Sequence, residues 1–117
     1  MKSQTNLKEI IKFYQINDSR YNWQSQPLIN LIQEIQNRSL SVNIYAKAYK
    51  TNLELSSTNG FISRPKTKMI TVQLDRKKNL LNVFHRLNFF DYDGVSSKEF
   101  RMDEISSITN SIFNWIN

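Results

Sequence analysis

From Leu40 onward the apolar side chains recur at every second position, with Leu40, Val42, Ile44, Ala46 and Ala48 on one side and Ser41, Asn43, Tyr45, Lys47 and Tyr49 on the other. A period of two belongs to an extended strand with one buried face, and no helix can satisfy it. The same period returns in residues 69–74, where Ile70, Val72 and Leu74 share a face, and in residues 80–87, where either Leu81, Val83, His85 and Leu87 or Leu80 and Phe84 face inward, the first set having more apolar members. The intervening Asp75-Arg76-Lys77-Lys78-Asn79 is polar and reads as an exposed hairpin loop. Leu53 and Leu55 resume the alternation in the opposite phase, which implies a bulge or a turn between them and Ala48. The small Ala46 and Ala48 suggest that a helix lies close across that part of the sheet.

Both ends of the chain have a helical period instead. Leu7, Ile10, Ile11 and Tyr14 predict a first helix over residues 5–15, with Asn6 able to cap it. The following residues 16–23 show neither period and read as a loop. Ser25 at a cap position and Pro27 in the first turn predict a second helix over residues 26–37, striped by Leu28, Leu31, Ile32 and Ile35. Near the C-terminus, Ile105, Ile108, Ile112, Trp115 and Ile116 keep helical spacing, and Ser96 followed by Glu99 has the form of a capping box, so the last helix is expected to start near Ser96 or Ser97. Residues 61–68 contain Pro65 and several cations and fit an edge strand or a loop. The expected architecture is a single α+β domain over residues 1–117. It has two N-terminal helices, an antiparallel sheet of three to four strands, and a C-terminal helix packed on one face, leaving the other face to solvent or a partner.

Composition narrows the function classes. Glycine and proline occur only twice each, which argues against the glycine-rich loops that cradle phosphates. Cysteine is absent, which removes disulfides, thiol nucleophiles and the common structural zinc sites. The N-terminal segment, with Lys8, Glu9 and Lys12, has no unbroken apolar run, and a cytoplasmic location without membrane contact is expected.

Two motifs invite a chemical reading. Asp91-Tyr92-Asp93-Gly94 leading to Glu99 resembles both ends of a calcium loop, but it spans nine residues where that loop needs twelve to wrap the ion. A turn followed by a capped helix explains the same residues. His85 is the only histidine, so no histidine pair can ligate a metal within one chain. An acid–base set could form only if Asp91, Asp93 or Glu99 converged on it. No catalytic residue, cofactor or metal site is therefore expected.

Charge gives the stronger signal. Between residues 47 and 86 there are nine cations (Lys47, Lys50, Arg64, Lys66, Lys68, Arg76, Lys77, Lys78, Arg86) against Glu54 and Asp75, a local balance of +7 within a chain of +6. From residue 88 onward the balance is −3. If the strand from Leu40 turns its apolar side inward, Tyr45, Lys47 and Tyr49 project from the open face beside Arg64, Lys66 and Lys68. These six residues are the expected partner-binding set, with Arg20, Tyr21, Trp23, Lys77 and Lys78 as a secondary one. Exposed tyrosine, tryptophan and arginine are the residue types that anchor protein interfaces, and a basic face steers association with an acidic partner. The sequence thus points to a small non-catalytic protein that engages or blocks a protein partner in the manner of an inhibitor, immunity protein or antitoxin. The alternative is single-stranded nucleic acid, whose bases stack on rings while phosphates meet cations; a small enzyme is a third, weaker option. No RNP-type aromatic pattern, helix-turn-helix signature or zinc finger accompanies the basic region. Simple solvation of charged loops, and Trp23 as a lid on the core, are the ordinary readings of the same residues.

Overall fold

A computed structural model describes residues 7–38, 44–57, 68–86 and 96–116. The elements, in order, are helices α1 (Leu7–Tyr21) and α2 (Gln26–Arg38), strands β1 (Tyr45–Tyr49), β2 (Asn52–Ser56), β3 (Met69–Asp75), β4 (Leu80–Arg86) and β5 (Ser96–Arg101), and helix α3 (Ile105–Ile116). The α+β class and the placing of two helices before the sheet and one after it match the expectation. The strands form one antiparallel sheet in the order β1-β2-β3-β4-β5, each paired with its neighbour in sequence. There are five strands, not three to four.

The extra strand is β5, in the stretch whose Ser96-to-Glu99 spacing had suggested a helix start. β5 is an edge strand with Phe100 as its one buried residue, so it lacks the apolar alternation that reveals a half-buried strand. The chain instead turns at 101–104. The Arg101 N–H donates to Glu104 Oε1 at 2.8 Å, and Glu104 supplies the first helical acceptor to the Ile108 N–H.

The first helix also differs, running to Tyr21 rather than stopping at residue 15. Beyond Tyr14 it exposes Ile16, which blurs the apolar stripe. Asn22 ends it in the left-handed region with φ 54°, its N–H returning to the Asp18 carbonyl, a role usually filled by glycine. Asp18 then clamps the connection, accepting the Ser25 N–H at 3.1 and 3.2 Å and the Ser25 hydroxyl at 2.7 Å. Ser25 caps α2 through its carbonyl, to which the Leu28 and Ile29 N–H groups donate.

Two hairpins order the sheet. Tyr49 pairs with Asn52 across a two-residue turn whose Lys50 has φ 52°, which accounts for the phase change between Ala48 and Leu53. Asp75 pairs with Leu80 across Arg76–Asn79, where Asn79 takes φ 55° and Asp75 Oδ1 accepts the Lys78 N–H. One sheet face carries Ala46, Leu53, Leu55, Ile70, Val72, Leu74, Leu81, Val83 and Phe100 into a core shared with Leu28, Leu31, Ile32 and Ile35 of α2 and Ile108 and Ile112 of α3. Each fully buried aliphatic chain contributes about 1.5–3 kcal/mol, so this layer dominates stability. The closest helix-to-sheet approaches are α1 to β1, where Ala46 and Ala48 make room, and α3 to β3, while α2 packs against both other helices. The helix layer is therefore centred on β1–β3. No helix among the described residues is long and apolar enough to cross a membrane.

Candidate functional site

Alternation assigns the open face. Along β1 to β5 its rows are Lys47, Glu54, Thr71, Phe84 and Ser97, then Tyr49, Asn52, Gln73, Asn82 and Glu99. Lys47 and Tyr49 project there as expected, and Tyr49 is 66% exposed. Tyr45 shares their side of β1 but is only 9% exposed, so its ring offers no platform for stacking. Nor is the face basic among the described strands. Lys47, Arg86 and Arg101 are matched by Glu54, Asp75 and Glu99, and the buried Arg86 guanidinium is held by Glu54 at 3.2 Å and Thr71 at 3.0 Å. Lys68 is exposed, but its ammonium lies 5.2 Å from the Trp115 ring of α3, on the helix side of the sheet and away from Lys47. Arg64 and Lys66 lie outside the described residues, as do Asp91 and Asp93.

The structure concentrates the secondary set instead. Both hairpin turns and the C-terminal end of β5 lie at one end of the sheet, because Tyr49, Asn52, Gln73, Asn82 and Glu99 form one continuous row. The α1–α2 connection comes to the same end. The Tyr14 hydroxyl donates to the Asn52 carbonyl at 3.3 Å, and the Arg76 guanidinium donates to the Asn22 carbonyl at 3.1 Å. Burial pushes the Tyr14 hydroxyl pKa well up from its ordinary value, with the Asp18 charge adding to the effect, so Tyr14 remains a neutral donor.

Around this loop end stand Arg20, Tyr21, Lys50, Lys77 and Lys78, all exposed. Tyr21 is 58% exposed and stacks on Trp23, with ring centroids 5.9 Å apart and planes 20° from parallel. Trp23 is itself half-buried against Phe13 and Tyr14, so it works as a lid on the core and as the base for Tyr21. The Lys50 ammonium lies 5.7 Å from the Tyr49 ring. Among the described residues no ion pair engages Arg20, Lys50, Lys77 or Lys78. Sequence reasoning left out Lys50 from both sets; the signal was the phase change after Ala48, which puts a turn at that residue.

His85 sits on the helix side of β4, its Nε2 3.0 Å from the Ser111 hydroxyl of α3 and its ring edge-on to Trp115. Burial lowers its pKa from the ordinary value, an effect partly opposed by the Ser96 backbone. Glu99 points from the opposite face of the sheet and cannot join it. The segment from Ser96 is a strand, so the helix that a calcium loop would lead into is not formed there. Among the described residues, no group of three His, Asp or Glu side chains is arranged to hold a metal ion.

Comparison of the chain with protein-family models, with curated proteins and with solved structures gives no match.

Proposed function

We propose that this chain is a non-catalytic binding domain that engages, and so occludes, an acidic surface on a protein partner. The contact is made by the loop end, not by the centre of the open sheet face. The observation that carries this reading is the assembly of Tyr21, stacked on a half-buried Trp23, with Tyr49 and the cations Arg20, Lys50, Lys77 and Lys78, which no ion pair engages among the described residues, at one end of the sheet. Aromatic side chains on a packed base lose little entropy on binding and supply most of the energy of protein interfaces. The surrounding cations add long-range attraction for an acidic patch. Loops held by a rigid scaffold are the usual place for such a surface. The nucleic-acid alternative draws less support, since the buried Tyr45 leaves Tyr49 as the one exposed ring of the expected stacking pair and the open-face charges of the described strands cancel.

The test compares the wild-type chain with Tyr21→Ser combined with Lys77→Glu and Lys78→Glu, and with Lys47→Glu as the open-face control. Proteins captured from the source cells are measured against each variant, and labelled single-stranded DNA and RNA are titrated at two salt concentrations. The proposal expects a stoichiometric acidic protein that the triple variant loses by at least roughly 2 kcal/mol of binding energy while Lys47→Glu retains it. Equal loss in both variants, or tight salt-sensitive binding of single strands in place of a protein, refutes it.

A further inference from the structure

On α3 four polar, uncharged side chains, Ser107, Asn110, Ser111 and Asn114, recur at the spacing of one helical face. The helix carries no ionisable side chain at all, whereas the exposed positions of α1 carry Lys8, Glu9, Lys12 and Arg20. Polar and charged residues both suit a water-facing helix face, and α2 likewise exposes Gln26, Asn30, Gln33 and Asn37, so what marks the α3 stripe is where it points. This stripe looks across a groove of ≈ 440 Å³ whose sheet wall is His85, Lys98 and Phe100 and which Trp115 also lines. The groove follows from the offset of the helix layer: α3 approaches β3 most closely, and beyond the buried Leu81, Val83 and Phe100 the helix side of β4 and β5 is accessible at His85 and Lys98.

Among the described residues the lining is rich in donors and contains no carboxylate. Lys98 provides a full positive charge, and its ammonium lies 5.1 Å from the Phe100 ring. Arg38 of α2 donates to Asn110 Oδ1, which leaves the Asn110 amide nitrogen to donate, and the Arg38 charge is shared with Glu34 at 2.7 Å. Lys68, on the Trp115 ring, adds a second cation at the rim. We infer that the groove binds a small organic molecule through an oxyanion, a phosphate or a carboxylate, held between the Lys98 ammonium and the His85–Ser111 pair, with the organic part against Phe100 and Trp115. The groove is open to solvent, which suits a small anion held by a few polar groups with part of its surface against an aromatic wall. The site is on the helix side of the sheet and does not depend on the loop end.

Because His85 is the only histidine, its imidazole NMR signals report on this groove alone. The experiment titrates inorganic phosphate and, separately, benzoate into the full chain at constant ionic strength, with chloride as the control. A saturable shift of the His85 signals is expected for at least one of the two probes, and which one saturates identifies the head group. The bound anion also raises the His85 pKa against the burial that lowers it, because a negative charge beside the ring favours the imidazolium. Lys98→Gln should weaken the saturating probe at least roughly tenfold, the equivalent of one charged hydrogen bond. Lys98 is exposed, so the variant keeps its fold, and Lys98→Arg should keep the binding. Shifts that grow linearly and equally with chloride, or saturation that survives unchanged in Lys98→Gln, overturn the inference.

Discussion

Replacing Asp18 by alanine should destabilise the domain by about 3 kcal/mol, far more than its place in the last two turns of a surface helix suggests. The carboxylate accepts the Ser25 N–H with both oxygens and the Ser25 hydroxyl at 2.7 Å, and Ser25 is 0% exposed. Truncation leaves a buried N–H and a buried hydroxyl without their acceptor. Each such group costs ~1–3 kcal/mol, and the hydroxyl, which can rotate toward another acceptor, sits at the low end. Against a total stability of about 5–15 kcal/mol for an ordinary domain this is a large fraction, and it corresponds to a fall in Tm of roughly 10 °C. Urea unfolding followed by Trp fluorescence measures it. Ser25→Ala, which removes only the hydroxyl, should cost ~1 kcal/mol, and the double variant should show a coupling of at least ~0.5 kcal/mol. A cost below ~1 kcal/mol for Asp18→Ala, or additivity in the cycle, would refute the clamp. The result also bears on binding, since the same connection presents Tyr21 and Trp23.

Two further perturbations probe other parts of the fold. His85 has a folded pKa lowered from its ordinary 6.5, so the unfolded chain binds more protons as pH falls below that value. Stability should therefore be constant with respect to this group above about pH 6.5 and decline through the window between 6.5 and the lower folded pKa; His85→Gln should remove that slope in urea titrations run at several pH values. Lys50 holds φ 52° at the β1–β2 turn, a conformation that costs a side-chain-bearing residue ~1 kcal/mol, so Lys50→Gly should raise the urea midpoint, and a lowered midpoint would show that the turn is not strained there.

Much of the architecture was legible in the sequence because burial imposes a period. The alternation in β3 and β4 fixed their ends and inward faces to within a residue, since Ile70, Val72, Leu74, Leu81 and Val83 must all face one core. The α2 boundaries followed from Ser25, Pro27 and the Leu28–Ile35 stripe for the same reason. Where burial is one-sided or slight, the pattern carries no such information. β5 buries Phe100 alone and therefore gives no alternation, and its Ser96 and Glu99 happened to fit a helix signal. The second half of α1 has few buried positions, so its end is marked only by Asn22, which the helical period does not report.

The candidate surfaces divide in the same way. Charge along the chain established that cations cluster in the β region, with Tyr45 and Tyr49 among them, and alternation placed Lys47 and Tyr49 on the open side. Neither could say which charges meet. Only the pairing of β1 with β2 sets Lys47 opposite Glu54, and only the tertiary packing directs Lys68 toward Trp115 and buries Tyr45. The loop end exists because Arg76, Asn22, Tyr14 and Asn52 join segments 38 to 54 residues apart, and the His85 groove exists because α3 is offset over the sheet. Local period and charge are properties of neighbouring residues and can be read in order along the chain. Juxtaposition across the fold is set by how the whole apolar surface is packed, which no single segment encodes.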